Sequence, residues 1–433
     1  MKTIPVWLEP KKRTDNSDCL KEIKKFENKP YRHPFDRDYG IIAHSSKFRR
    51  LSGKTQVFLS PKSDFPRTRL THSVEAAQIG RELAVIFRNH FEDIYSSHEL
   101  GPVGSFERLV ETSCLAHDIG HPPFGHCGAK TLEKLCGKND YEFDDNKHVV
   151  HYFLHNLPVT NVLLDTVIKD KKDGWYTEDE DACEKIFEEH ETIGVRHPVT
   201  YLMEAADDLV NFSSDLEDAK NMNILQDKDF ECLVSPIIGT LKAASSKDKV
   251  SQVIKCSIEH IEKSIEKGLK HCFDKDHDPD SLPKLFQEWI EMESVIKEKK
   301  DKTKLNIFSL DEKFSVIYEK KLYFDESFGI LKHKAIFQPE MYAEKIIESL
   351  WSKLFSLGSE RKENLPKNPI FILLPKDKQK WLQDNLDNVQ NNTKKKSMHV
   401  SRYIAGMTDE YCVYLYEQIH KPLSVLYRDS LIV

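Results

Sequence analysis

The stretch CLAHDIGHPPFGHCGAK, Cys114–Lys130, decides how this chain is read. Its seventeen positions hold three histidines, one aspartate and two adjacent prolines. Such a run is either a tightly turned piece of core or one wall of a metal site. Leu109, Val110, Cys114 and Leu115 form an apolar helical stripe that runs up to His117–Asp118. Gly120 then supplies a stop, and Pro122–Pro123 prevents continuation. His117 and Asp118 therefore sit at a last helical turn, where adjacent side chains diverge around one point.

Working outward, RTRLTHSVEAA places His72 at the start of an amphipathic helix. Downstream, Pro198 fits the first turn of a helix through YLMEAADDLVNFSSDLEDA. There Asp207, Asn211 and Asp215 are spaced i, i+4, i+8 and share one face, and Ala205 and Ala206 point to close packing. His72, His117, Asp118 and Asp207 together offer two imidazoles and two carboxylates. That mixed nitrogen and oxygen set suits one catalytic divalent ion with open positions for water and substrate. Mn²⁺, Fe²⁺ or another borderline ion fits better than Ca²⁺, which takes only oxygen, and Mg²⁺ stays open.

The 433 residues exceed the usual single compact core, so one large domain with an appended unit is expected. With 39% hydrophobic and 31% charged residues and a net charge of −7, nothing global points to nucleic acid or an anionic membrane. No apolar run approaches the roughly 20 residues that cross a bilayer, and MKTIPVWLEPKKR is too polar for a signal peptide. The nine cysteines include no CxxC pair and read as free thiols of a reducing cytosol. A cytoplasmic location is expected.

Residues 74–87 place Val74, Ala77, Leu83, Ile86 and Phe87 on one stripe. Tyr342, Ile346, Ile347, Leu350, Trp351, Leu354 and Phe355 form a second. The fold class is mostly α with at most a minor β element, for which PIFILL (Pro369–Leu374) is the best strand. Charged stretches at 169–181, 297–304 and 391–397 read as linkers or exposed insertions. A soft boundary divides a core at 1–230 from a helical C-terminal region at 231–433.

The order H…HD…D, with its longer flanks, resembles the HD superfamily of metal-dependent phosphohydrolases. Within it the chain is similar to the deoxyguanosinetriphosphate triphosphohydrolase family. The matching stretches are RDYGIIAHSSKFRRLSGKTQVF (37–58), RTRLTHSVEAAQIGREL (67–83), LAHDIGHPPFGHCG (115–128), RHPVTYLMEAADDL (196–209) and YIAGMTDEY (403–411). The resemblance implies a helical HD bundle whose C-terminal extension contributes to the substrate pocket and to oligomer contacts. It implies metal ligands at His72, His117, Asp118 and Asp207. The implied reaction is hydrolysis of a dNTP, dGTP favoured, at the α-phosphorus to deoxynucleoside and tripolyphosphate. Arg49, Arg67, Arg69 and His121 become candidates for phosphate contact. His126 matches the histidine acting at the α-phosphate, Asp215 a residue on the sugar 3′-hydroxyl, and Gln56 a position lining the base and sugar pocket. A regulatory nucleotide, single-stranded nucleic acid and a homo-oligomer such as a hexamer are the partners the family brings with it.

Two departures bear on chemistry. Relatives carry an acid three residues after the catalytic histidine; here that position is Ala129. Asp144 and Asp145, in YEFDDNK, are near enough for one to supply the role, and Asp145 is the catalytic candidate. Relatives often carry Tyr four residues after the last metal ligand, where this chain has Asn211, so Asn211 enters the substrate-binding set with deoxy/ribo discrimination in question. Two other classes of function stay open: another phosphatase or phosphodiesterase activity, and a nucleotide- or single-strand-binding regulator with weak turnover.

Overall fold

The computed structural model describes residues 3–10, 33–59, 65–238, 246–296 and 333–420, so the charged stretch 297–304 lies outside the described residues. The described residues are predominantly helical. Among the described residues the only β features are isolated bridges, Thr3 with His98 and Thr55 with Thr68.

The helices are α1 (Pro34–His44), α2 (Ser46–Arg50), α3 (Arg69–Ile94), α4 (Ser105–Ala116), α5 (Gly125–Gly137), α6 (Asp145–Asn156), α7 (Asn161–Val167), α8 (Glu180–His190) and α9 (Pro198–Asn221). They continue as α10 (Asp227–Ile238), α11 (Ser246–Lys275), α12 (Leu282–Ile296), α13 (Lys334–Leu357), α14 (Pro369–Leu373), α15 (Lys376–Val389), α16 (Thr393–Ala405) and α17 (Asp409–His420).

The centre is the packing of α3 against α4 and of α9 against both. Thr68 starts α3 through a capping box with Thr71, a device stabilising a helix by about 1 kcal/mol. Leu83, Ala84, Phe87 and Phe91 then line its buried face. The axes cross closely because position 80 is glycine: a Cβ there would lie 2.5 Å from the Cys114 sulfur. The start of α9 is set by Pro198 at its first turn and by His197, whose side chain accepts from the Val199 N–H.

Two hydrophobic cores result. One runs from Trp7 through α3, α4 and α9 and takes in α11 and α12. The other joins α5 to α13, α16 and α17 through residues such as Leu132, Ile347, Leu350 and Ile404. The first core thus extends past residue 230, and the second draws α5 from the N-terminal half.

Several local expectations are corrected. PIFILL is helical: Asn368 caps it from the N-terminal side, and Pro369 occupies the first turn with its φ already set. Val74 and Tyr342 are exposed at 52% and 53%, so each apolar stripe is narrower than its pattern. The 169–181 stretch is not simply solvated, since Lys171, Tyr176 and Asp179 are buried, Lys171 against Asp165. The 391–397 stretch opens α16, with Asn392 as its cap and Lys396 and Ser397 buried.

Candidate functional site

The helix α4 ends at Ala116, and His117 and Asp118 occupy the turn that follows, where α3, α4 and α9 pack together. From α3 comes His72, from α9 Asp207. The His72 Nε2 lies 2.9 Å and the His117 Nε2 3.4 Å from the same Asp207 Oδ1. The donor atoms of these three residues all lie within 4.8 Å of one another. Asp118 sits beside them: its Oδ1 is 3.6 Å from His117 Nε2, and its Oδ2 accepts from Arg69 Nη1 at 2.6 Å.

This arrangement fits a divalent ion. Two imidazole nitrogens and a carboxylate oxygen converge, a donor set borderline transition ions favour. The His117 ring is also fixed in orientation. Its Nδ1 is 2.6 Å from the Cys114 carbonyl, so it donates there and leaves Nε2 facing Asp207. The electrostatics agree. Burial alone would raise Asp207, but His117, the bond from His72 and Lys169 hold it well below the usual carboxylate range. Burial would likewise raise Asp118, and the Arg69 guanidinium outweighs it. Burial would lower His117, and Asp118 and Asp207 together raise it instead.

Further along the same motif, His121 is buried and its Nε2 lies 3.2 Å from Asp145 Oδ2. The expectation that Asp145 orients His126 is therefore corrected: Asp145 faces His121, whose ring stands edge-on to His126 with centroids 5.9 Å apart. Asp144 is spent as the cap of α6, accepting from the Lys147 N–H. Among the described residues no carboxylate hydrogen-bonds to His126. Its side chain is exposed, yet desolvation by the surrounding protein and the Arg69 guanidinium lower it to about 4.

His126 stands at the start of α5 because Phe124 and Gly125 both take left-handed φ values of 63° and 58°. Glycine suits position 125 doubly, since a Cβ would meet the Gln56 carbonyl at 3.0 Å. The turn is braced from the C-terminal region. Asp409 accepts from the Phe124 N–H at 2.8 Å through one oxygen and from the Thr55 N–H at 3.0 Å through the other. Lys54, fully enclosed, donates to the carbonyls of His121 at 2.6 Å and Ala405 at 2.8 Å.

The remaining candidates divide. Gln56 donates to Asn211 Oδ1 at 3.0 Å, and Asn211 donates to Asp207 Oδ1 at 2.9 Å, which ties the Gln56 amide to the Asp207 carboxylate. Gln56 Oε1 is buried with no hydrogen-bond partner among the described residues. Asp215 is buried one turn beyond Asn211 on α9. Arg69 is at the site, bound to Asp118. Arg49 is exposed, with Nη1 folded onto the His44 carbonyl at 2.7 Å. Arg67 is corrected as a phosphate ligand: all three guanidinium nitrogens are bound, to Glu75, Glu217 and Asp218.

Sequence reasoning missed Lys169, whose ammonium is 3.8 Å from Asp207 Oδ2, and the Lys54–Asp409 brace. Lys169 lies in a KDKKD run that composition alone marks as solvated. The brace was signalled only by its place inside the KTQVF and MTDEY motifs.

Residues 69–211 match the family described as HD domain. The chain is 30% identical over 249 residues to the deoxyguanosinetriphosphate triphosphohydrolase-like protein of Listeria monocytogenes, covering 47% of this chain and 54% of that protein. It is 31% identical over 256 residues to the protein so named in Pseudomonas aeruginosa, covering 48% and 56%. Over 123 residues it is 49% identical to the deoxyguanosinetriphosphate triphosphohydrolase-like protein 2 of Mesorhizobium japonicum, covering 28% and 24%. The chain spans about half the length, or less, of the curated relatives it matches. No helix among the described residues is long and apolar enough to cross a membrane. The HD match takes in His72, His117 and Asp207, and the chain is similar to proteins named deoxyguanosinetriphosphate triphosphohydrolase-like.

Proposed function

We propose that the protein is a metal-dependent hydrolase of deoxynucleoside triphosphates, dGTP foremost, that cleaves at the α-phosphorus to release deoxynucleoside and tripolyphosphate. The observation that carries this reading is the convergence of His72, His117 and Asp207, with Asp118 adjoining and His121 and His126 ring to ring nearby in the same motif. His72, His117 and Asp207, with Asp118 adjoining, would hold one Mn²⁺, Mg²⁺, Fe²⁺ or similar ion. Such an ion supplies Lewis acidity toward a phosphate oxygen and acidifies a coordinated water.

The chain's own groups supply the rest. Arg69 and Lys169 set positive charge beside the carboxylates, where a polyanion gains most from it. In the free protein His126 is neutral at pH 7, and a bound triphosphate brings negative charge that favours its protonated form. It then has a proton to give to the departing 5′-oxygen. With Ala129 in place of an acid, the Asp145–His121 pair positions the neighbouring ring but not His126 itself. Gln56 Oε1 offers an acceptor to an N–H or O–H of the nucleoside. Asp215 is assigned to the sugar, Arg49 to the rim where the triphosphate tail emerges, and the region 231–433 to pocket closure and assembly with further copies. A cytoplasmic location accords with free thiols at all seven described cysteines.

Product analysis tests the reading. The metal-loaded protein is incubated with each dNTP and with GTP, and nucleoside, tripolyphosphate and phosphate are resolved. Deoxynucleoside with tripolyphosphate, lost in Asp207→Ala, is the expected result. Orthophosphate in its place would assign another phosphatase activity, and intact nucleotide bound tightly under every metal would assign a binding regulator.

A further inference from the structure

The protein holds a second cluster with the composition of a metal site, away from the first. His151 and His155 are spaced i, i+4 on α6 and so share a face, with ring centroids 4.3 Å apart. Opposite them, a short 3-10 turn, Thr177–Asp179, delivers Asp179, which is 1% exposed. His151 Nδ1 lies 2.8 Å from one Asp179 oxygen and His155 Nε2 lies 2.8 Å from the other. All three ligand atoms fall within 4.8 Å of one another.

The geometry points to a second divalent-ion site at His151, His155 and Asp179, one that takes Zn²⁺ or a similar borderline ion independently of the His72 cluster. Zn²⁺ binds imidazole and carboxylate at about 2.0–2.1 Å, which places neighbouring donors roughly 3 Å apart. The two histidine-to-Asp179 spacings need to open slightly and the donors, now within 4.8 Å of one another, to draw in around the ion. A helical His pair at i, i+4 with one carboxylate is a donor set for zinc, with the fourth position left to water. His155 supplies that open side, since its side chain is 53% exposed. Arg402 does not oppose an ion, since it lies over the Tyr176 ring and its Nη2 is bound to Glu178 at 2.6 Å.

The two clusters are distinct. His151 lies six residues along α6 from Asp145, a rise of about 9 Å. Asp179 also ends the segment that begins at Lys169, which reaches Asp207. An ion at the second site therefore ties the 169–179 segment to α6 and steadies a residue beside Asp207. The second site stands whatever reaction the first performs.

Metal counting tests it. The full chain is freed of metal with a chelator, loaded with Zn²⁺ alone, desalted and assayed for zinc per chain. Co²⁺ absorption reports the donor set, and circular dichroism reports the fold. Two ions are expected in the parent, one in Asp207→Ala, one in His155→Gln, and none in the double variant. Asp179→Asn keeps the shape of the contact while losing its charge, and weakens the second ion at least tenfold. An unchanged count in His155→Gln and Asp179→Asn, or no ion left in Asp207→Ala, overturns the proposal and leaves a hydrogen-bonded clamp. Failure of the proposed triphosphohydrolase activity would leave the counts as they are.

Discussion

Asp409 is the residue whose removal tests most sharply how distant motifs assemble the site. Its two carboxylate oxygens each accept one backbone N–H, from Thr55 and from Phe124. A hydrogen bond to a charged group contributes about 1.5–3 kcal/mol, and since both bonds are only partly buried the lower end applies. Asp409→Ala should therefore cost about 3 kcal/mol, a large share of the roughly 5–15 kcal/mol that holds a folded protein. Asp409→Asn keeps one acceptor and turns an amide NH₂ toward the other N–H, so it should lose at least half as much. The loss is local in origin. Phe124 keeps its left-handed φ only while its N–H is held, and His126 follows two residues later. Urea unfolding gives the magnitude, and hydrogen exchange over peptides spanning 50–58 and 120–126 locates it. If both variants stay within about 0.5 kcal/mol of the parent with unchanged exchange there, the bracing argument is wrong.

Three further outcomes follow from the same geometry. His126→Ala should lower kcat by about 10²–10⁴ with little change in KM, and a loss under threefold would remove it from the chemistry. Asn211→Tyr should reduce kcat/KM for GTP relative to dGTP by about tenfold, because an aromatic ring crowds a 2′-hydroxyl that the amide tolerates; an unchanged ratio would move discrimination elsewhere. His197 is buried, with Nε2 donating to the Trp7 carbonyl and Nδ1 accepting from Val199, and burial holds its pKa well below the ordinary value. The unfolded chain thus takes up a proton below pH ~6.5 that the fold refuses, and stability falls as pH drops from there. His197→Gln should flatten that acid limb by ~1.4 kcal/mol per pH unit, and an unaltered slope in pH-dependent unfolding would contradict the assignment.

Much of the fold was legible because the long helices carry their own signals. Leu83 and Phe87 in α3, or Ile347 and Leu350 in α13, recur at the helical period, and Pro198 and Thr68 mark starts. PIFILL was misread because six apolar residues have no period to distinguish strand from helix, and a single side-chain cap at Asn368 decided it. The motifs singled out His72, His117 and Asp207, which come together from α3, the turn after α4, and α9. What composition conceals is pairing. Arg67 and Arg69 stand two residues apart, yet one is enclosed by three carboxylates and the other donates to Asp118. Lys169 and Asp179 look like solvated charge until the tertiary fold sets an aspartate beside the first and two histidines beside the second.

In the proposed reaction water attacks the α-phosphorus, and isotope transfer reads out that bond. The Mn²⁺-loaded protein is given dGTP in H₂¹⁸O and the products are weighed by mass spectrometry. One ¹⁸O in tripolyphosphate and none in deoxyguanosine is the predicted result, because the bond formed is from water oxygen to the α-phosphorus and the bond broken is from that phosphorus to the 5′-oxygen. Label in orthophosphate or in the nucleoside, or no product under any metal, would rule out attack at the α-phosphorus.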